Sequence, residues 1–451
     1  MKVVISICRI IVGALFIVSG LIKVNDVVGF AYKLEEYFSV KALGFPELLP
    51  YTVPIAMFIV IGEVLVGVAT LLGAWPKLTS SLLLFMTLFF AWLTYYTATC
   101  DPLQQMTFTA VDGTTFTDTP ECVTSCGCFG DAIKLTPWES FYKDIFLLPF
   151  VLPFFIFAWM GKVKLNDWKD DAVIVTIAAL IVLGFSYKML DWYFPVLFVL
   201  VASAVGIGIK QATKGKQWLM AIGVLLVCSL TQYWTYVHLP LKDYRPYSIG
   251  SDIRENMKTA EELGLEPPVY MTYYTLKHSA SGEIKKMDSQ AYLNEQIWKD
   301  SLWKIQPEFT FSKKIKDGYE PKILDLSAMD MEGNDVLDSI LDAPSIFLLV
   351  MWNLEEAKTT DLSNLTAFAL KAEADGKQFF GFTTAGYDEC ENYRHEHQLA
   401  FPFLQGDEKV LKTMIRANPG LIYMEKGKVI NMWAGCDVPS YDDAKSKAFK
   451  H

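Results

Sequence analysis

Seven long apolar runs fill the first 237 residues of this chain, and they constrain its fold more than any other feature. A bilayer's hydrocarbon core takes about 20 apolar residues of helix to cross, and only backbone that satisfies its own hydrogen bonds is tolerated there. The runs lie at about 3–24, 52–74, 78–99, 142–160, 172–189, 193–210 and 217–237. They predict an all-α membrane helical bundle of about seven transmembrane helices in a lipid bilayer. The fifth and sixth are separated only by Lys188, Asp191 and Trp192, a spacing that also suits one kinked re-entrant pair. Beyond residue 237 the chain reads as soluble protein, so the 52% hydrophobic content is concentrated in one half.

Charge sets the expected orientation. With the N-terminus cytoplasmic, Lys2, Lys77, Lys162, Lys164, Lys169, Lys210, Lys214 and Lys216 all fall inside, as positive-inside bias requires. The segment 100–141 then lies outside and carries a single Lys134. An odd number of spans puts residues 238–451 outside as well. The first run is read as a retained span, because Arg9 interrupts it, no small-residue cleavage site follows, and further spans do. The net charge of −10 leaves no basic face for nucleic acid.

Glu63 sits mid-span in IVIGEVLVGVATLLG. A carboxyl at that depth is costly and marks a candidate functional site. Arg9, also within a span, is its expected partner. The pair reads either as structural or as handling protons or a ligand.

Four of the eight cysteines crowd the external loop 100–141: Cys100, Cys122, Cys126 and Cys128. Between the first two, MTFTAVDGTTFT alternates as strands do, and Asp112-Gly113 predicts a two-residue hairpin turn. The hairpin brings Cys100 and Cys122 near each other and near Cys126-Gly127-Cys128. Outside the membrane, disulfides persist, so the thiols read as static bridges or as an exchange centre with attacking and resolving sulfurs. A metal site is disfavoured, since Cys-x-Cys is a poor zinc spacing and no histidine lies nearby. Thr136, Pro137 and Glu139 predict a capping box opening the fourth span.

RIIVGALFIVSGLIKVNDVVGFA, GEVLVGVATLLG and CGCFGDAIKLTPWESFYKD together resemble the DoxX/MauE family of small four-helix membrane proteins, over about residues 1–160. The resemblance implies a bundle similar to that of vitamin K epoxide reductase and a link to thiol–disulfide chemistry outside the cytoplasm. By position it makes Cys126 and Cys128 the family's pair. Cys100 and Cys122 lie outside the motif. Residues 161–237 add three further spans beyond the resemblance.

Residues 238–318 read as an α+β linker domain: a strand pair turning at Ser-Ala-Ser-Gly, then a helix near 288–301. From 319 to 451, strands and helices alternate and end in a hairpin, which predicts an α/β sandwich. The strands are SIFLLVMW, QFFGFTTA, GLIYME and KVINMW. The helices fall near 355–375, 387–398 and 407–417. The pattern resembles the thioredoxin fold in its TlpA-like branch, and by that resemblance Pro419 is the cis-proline. The family's Cys-x-x-Cys is replaced by Asn353-Leu354-Glu355-Glu356-Ala357, so no thiol stands where a helix N-terminus would activate it. Cys390 and Cys436 either bridge or stay apart. Cys8 and Cys228 read as packing residues. His395 and His397 do not share a helix face and are not read as metal ligands.

The functional expectation is a bacterial inner-membrane protein with its soluble domain in the periplasm. Its loop cysteines would exchange disulfides with an extracytoplasmic protein partner, and its thioredoxin-like domain would dock that partner. Two alternatives are a non-enzymatic scaffold with structural disulfides, and a transporter or quinone-handling protein using Glu63. No cofactor is evident beyond the quinone of that last alternative.

Overall fold

The computed structural model describes residues 2–102, 104–123, 125–307, 310–357 and 362–448. Among these, seven helical segments are long and apolar enough to cross a membrane, and the chain is a multi-pass membrane protein. The membrane half runs α1 (Lys2–Asn25), α2 (Val27–Phe38), α3 (Thr52–Leu72), α4 (Pro76–Thr99), β1 (Met106–Thr109), β2 (Thr115–Asp118), α5 (Pro137–Trp159), α6 (Trp168–Phe185), α7 (Phe194–Ala212) and α8 (Gln217–Val237). The fifth and sixth runs are separate helices. A π-turn at Ser186–Leu190 and a left-handed Asp191 end one before the next begins.

Helix α1 is the centre of the bundle and the most buried of the seven spans. It packs closely on α3, because Gly13 and Gly67 have no side chain to hold the helices apart. A Cβ on Gly67 would meet Ile17 Cγ1 at 2.7 Å and Gly13 O at 3.0 Å. Small residues at such crossings allow the backbone approach that drives helix association in lipid. The outer faces carry large apolar side chains, including Phe58, Phe85 and Phe146, which lipid solvates as well as a protein core would.

This antiparallel register decides where the intramembrane charges go. Gly20 lies level with Glu63 and Val64. Arg9 lies level with the end of α3, where it donates to Thr70 O and Leu71 O, both at 2.8 Å, and to Asn166 Oδ1 at 2.9 Å. Arg9 and Gly20 are eleven residues apart, ~16 Å along a helix. The expected Arg9–Glu63 pair therefore does not form. Glu63 pairs instead with Lys23, at 2.8 Å, with 1% and 2% of the side chains exposed. Arg9 serves as a C-terminal cap for α3, the end at which a cation is favoured.

The soluble half contains α9 (Ile253–Met257), then a small antiparallel sheet of β3 (Val269–His278), β4 (Ile284–Asp288), β5 (Trp303–Ile305) and β6 (Phe311–Lys316), with α10 (Ser289–Asn294) after β4. The hairpin joining β3 to β4 is where the sequence placed it, with Lys277 opposite Ile284. The helix is shorter than expected: Gln296 takes a left-handed φ of 55°, and only a 3₁₀ turn, Ile297–Lys299, follows.

The last unit comprises α11 (Leu337–Asp342), β7 (Ile346–Val350), α12 (Leu362–Ala374), β8 (Gln378–Thr383), α13 (Tyr387–Glu396), β9 (Phe403–Gln405), α14 (Glu408–Met414), β10 (Gly420–Glu425), β11 (Lys428–Ala434) and α15 (Tyr441–Ala448). The sheet order is β11-β10-β7-β8-β9. The pairs β7–β8 and β8–β9 are parallel, whereas β10 is antiparallel to both β7 and β11. Strand β7 is buried on both faces, and alternate residues feed two cores. Ile346, Leu348 and Val350 pack in one, while Phe347 and Leu349 pack in the other. Of the expected helix near 355–375, residues 358–361 lie outside the described residues. Strand β9 was not anticipated, being only three residues long. Cys390 is buried, Cys436 is exposed, and they do not bridge.

Candidate functional site

The C-terminal ends of α1 and α4 and the N-terminal end of α5 hold the loop that carries the four cysteines. Cys100 and Cys122 form a disulfide with Cα atoms 5.7 Å apart. It closes the β1–β2 hairpin, whose register runs from Met106–Asp118 to Thr109–Thr115. The turn is not the two-residue type expected. Ala110 N–H bonds to Thr114 O, leaving Val111, Asp112 and Gly113 as a three-residue connection with Gly113 at φ 81°. Three-residue hairpins place a left-handed residue at that point, which glycine supplies without strain.

Cys126 and Cys128 remain thiols, buried at the base of the loop. The structure thus divides the four cysteines into one bridged pair and one dithiol. The expected capping box at Thr136 and Glu139 starts α5 and thereby fixes Ser140 and Lys143 beside the dithiol. Cys126 Sγ lies 3.1 Å from Ser140 Oγ. The Cys128 backbone N–H reaches the same sulfur at 3.3 Å. Gly127 between them has φ 69°, and a Cβ there would meet Lys33 Cγ of α2 at 3.1 Å. Glycine is therefore the residue that lets the dithiol turn tightly beneath α2.

The electrostatics separate the two sulfurs. A hydrogen bond from the Cys128 thiol, then the positive charge of Lys143, Ser140 and the Cys128 N–H, lower the Cys126 thiol to about 6 against the opposing effect of burial. The same hydrogen bond and burial push the Cys128 thiol up. A low-pKa sulfur beside a higher one is the arrangement of an attacking and a resolving thiol. In intact membranes, Cys126 alkylation is expected to rise with a midpoint near pH 6, because the depressed group is thiolate above that value. Cys128→Ala is expected to move the midpoint up. A wild-type midpoint near 8.5, the ordinary thiol range, would contradict the geometry.

Beneath the dithiol, polar groups continue into the bundle. Ser19 Oγ bonds to Cys128 O at 3.3 Å and to Glu63 Oε2 at 3.2 Å. Lys143 pairs with Asp144 at 3.0 Å, and Thr94 Oγ1 donates to that carboxylate at 3.3 Å. A void of about 40 Å³ lies among Ser19, Lys23, Glu63, Cys128, Lys143 and Asp144. That is room for water and not for a fused ring system. Sequence reasoning singled out Glu63 but missed Lys23 and Lys143. Both sit at span ends, where lysines ordinarily reach for the interface. The mid-span Glu63 carboxylate was the available signal that a lysine turns inward, since Lys23 lies in the same apolar run as the expected partner Arg9.

Above the dithiol, a cleft of about 920 Å³ separates the loop and α2 from α14. Asp26 caps α2 through Gly29 N–H and also pairs with Arg416 Nε at 3.0 Å. Arg416 Nη2 reaches Asp131 at 3.2 Å, so one guanidinium ties α2, the cysteine loop and the soluble domain together. Burial alone would raise the Asp26 carboxyl, but Arg416, Arg245 and Gly29 N–H outweigh it and hold the group below its ordinary value. Tyr32 of α2 packs edge-on against Trp352 with ring centres 6.5 Å apart, and Lys412 sits 4.6 Å over the Tyr32 ring. Trp352 immediately precedes the thiol-free segment Asn353–Ala357. Asn418 donates to Asn353 O at 2.9 Å beside the cis Asn418–Pro419 peptide.

Residues 1–100 match the family described as methylamine utilisation protein MauE. The match spans α1 to α4 and stops at the first loop cysteine. No curated protein matches the chain. Among solved structures, a hypothetical protein from Sinorhizobium meliloti 1021 is similar at 12% identity, with a TM-score of 0.20, over 24% of this chain and 66% of that one. So low a score carries no argument about fold or function.

Proposed function

We propose that this protein performs thiol–disulfide exchange at the non-cytoplasmic face of a bacterial cytoplasmic membrane, with Cys126 attacking and Cys128 resolving. The observation that carries the reading is the Cys126–Cys128 dithiol: it lines a 920 Å³ cleft at the bundle's end, beside Lys143 and apart from the bridged Cys100–Cys122 pair. Cys126 thiolate attacks one sulfur of a partner protein's disulfide, forms a mixed disulfide and releases the other partner sulfur, which takes a proton. Cys128 loses its proton and attacks the Cys126 sulfur. The partner leaves as a dithiol, and Cys126–Cys128 is oxidised. The reverse sequence oxidises a partner dithiol; the balance of potentials sets the direction.

The MauE match over residues 1–100 supports the membrane half of this reading. The β11-β10-β7-β8-β9 order supports a thioredoxin-like terminal domain. With Asn353–Ala357 in place of a dithiol, that domain contributes docking. The lysine distribution supports a cytoplasmic N-terminus and a periplasmic soluble half, and the cysteine loop, α2 and soluble domain contact one another at one end of the bundle. The 40 Å³ void beside Glu63 favours exchange at the loop over a quinone bound at that carboxylate.

The test is alkylation trapping in intact cells, with and without reductant and oxidant. The Cys126–Cys128 pair should shift between reduced and oxidised forms while Cys100–Cys122 stays bridged. A permanently oxidised Cys126–Cys128 pair that never joins a partner would establish the scaffold alternative instead.

A further inference from the structure

We propose a second site, a thiophilic divalent-metal clamp of the zinc class formed by His238, Cys436 and Asp437. It stands independently of the redox reading. The residues come from elements far apart in the chain: His238 ends α8, the last span, while Cys436 and Asp437 form the turn after β11. One ligand atom from each lies within 4.8 Å of the other two. His238 Nδ1 lies 2.7 Å from both carboxylate oxygens of Asp437. The His238 ring packs at a tilt of 36° against Trp234, one turn earlier, with ring centres 4.2 Å apart. Cys436 Sγ lies 3.3 Å from Val237 O, so its thiol hydrogen bonds to the last turn of α8.

Imidazole, thiolate and carboxylate form a donor set suited to zinc. Tetrahedral zinc with its usual bond lengths sets ligand separations of roughly 3.3–3.6 Å. The His238–Asp437 contact would open by ~0.6 Å to reach that range, and the thiol would swing inward from Val237 O. Metal binds His238 Nδ1 in place of its hydrogen, the neutral imidazole then carries its proton on Nε2, and the Cys436 thiol proton goes to solvent. His238 and Asp437 side chains are 27% and 33% exposed, which leaves the fourth position to water. The metal would fasten the soluble domain to the last span, on elements other than those joined by Arg416.

The competing account is a His–Asp hydrogen bond that needs no metal. Cobalt(II) separates the two, because thiolate coordination gives a ligand-to-metal absorption that nitrogen and oxygen ligands do not. Full-length protein in detergent, carrying Cys126→Ser and Cys128→Ser to remove the other candidate thiols, is titrated with Co²⁺ and then with competing Zn²⁺. One equivalent should give the thiolate band, and zinc should abolish it. Cys436→Ser should remove the band. His238→Gln and Asp437→Asn should each weaken binding by at least the ~10–100-fold that loss of an outer-shell partner costs. All variants are first checked for native elution. No thiolate band in the parent, or a band that survives Cys436→Ser, overturns the site.

Discussion

Replacing Cys128 with alanine is expected to accumulate a mixed disulfide between Cys126 and a partner protein, and replacing Cys126 is expected to accumulate none. The asymmetry follows from the two sulfur environments. At pH 7 a thiol at about 6 is ~90% thiolate, against ~3% for an ordinary thiol near 8.5, roughly a 30-fold gain. Nucleophilicity falls with pKa and returns roughly 10- to 20-fold of that. The low pKa of Cys126 therefore speeds attack only ~2–3-fold. Its larger effects are to select which sulfur attacks and, in the reverse direction, to make Cys126 the better leaving group when the partner's second thiol attacks the mixed disulfide. Without Cys126, the remaining nucleophile is a buried sulfur whose pKa is pushed up, so turnover should fall to the level of the double variant. Non-reducing electrophoresis after acid quenching, with mass spectrometry of the linked peptide, reads the outcome. Equal trapping by both single variants would sink the assignment of roles.

Lys23→Met is expected to destabilise the membrane half by ~3–5 kcal/mol, because it leaves Glu63 as an uncompensated charge in the bundle. The ion pair is 98–99% buried, and a water in the small adjoining void carries no charge to replace the lost ammonium. Removing both charges should recover most of the loss, since well-packed neutral replacements for a buried pair are often neutral or stabilising. Unfolding in detergent of Lys23→Met, Glu63→Gln and the double variant measures the cycle. Thiol exchange assayed in the same proteins separates two roles. If the double variant regains both stability and exchange, the pair is structural. If it regains stability and loses exchange, Glu63 and Lys23 serve proton handling below Cys128, through the Ser19 bridge. A single variant as stable as wild type would contradict the burial argument.

Much of the site was legible one residue at a time. The Thr136–Glu139 capping box depends on four consecutive positions, and it starts α5 as expected. The absence of a thiol from Asn353–Ala357, just after β7, could also be read directly. The pairing of the four cysteines could not, because their spacing permits several pairings and the three-residue hairpin connection decides which sulfurs meet. Helix α2 was missed altogether. Its Asp26 N-cap is visible in the sequence, but twelve residues too short to span a membrane carry no strong signal beside the runs on either side. The roof of the cleft was invisible for a different reason. Arg416 and Asp26 are 390 residues apart, and nothing local marks either as the other's partner.

The sequence by itself determined the membrane bundle, the change to soluble protein near residue 237 and the concentration of thiols outside the spans. Each rests on composition over a short window: a run of apolar residues in lipid has few alternatives to a helix. The tertiary structure decided which charges and sulfurs find each other. Close glycine packing sets the α1–α3 register and so gives Glu63 to Lys23 rather than Arg9. The hairpin and the start of α5 leave Cys126 and Cys128 as the dithiol, with Lys143 beside them. Lipid dictates the element, and long-range packing dictates the partner, because an ion pair or a disulfide depends on distances that no local window contains.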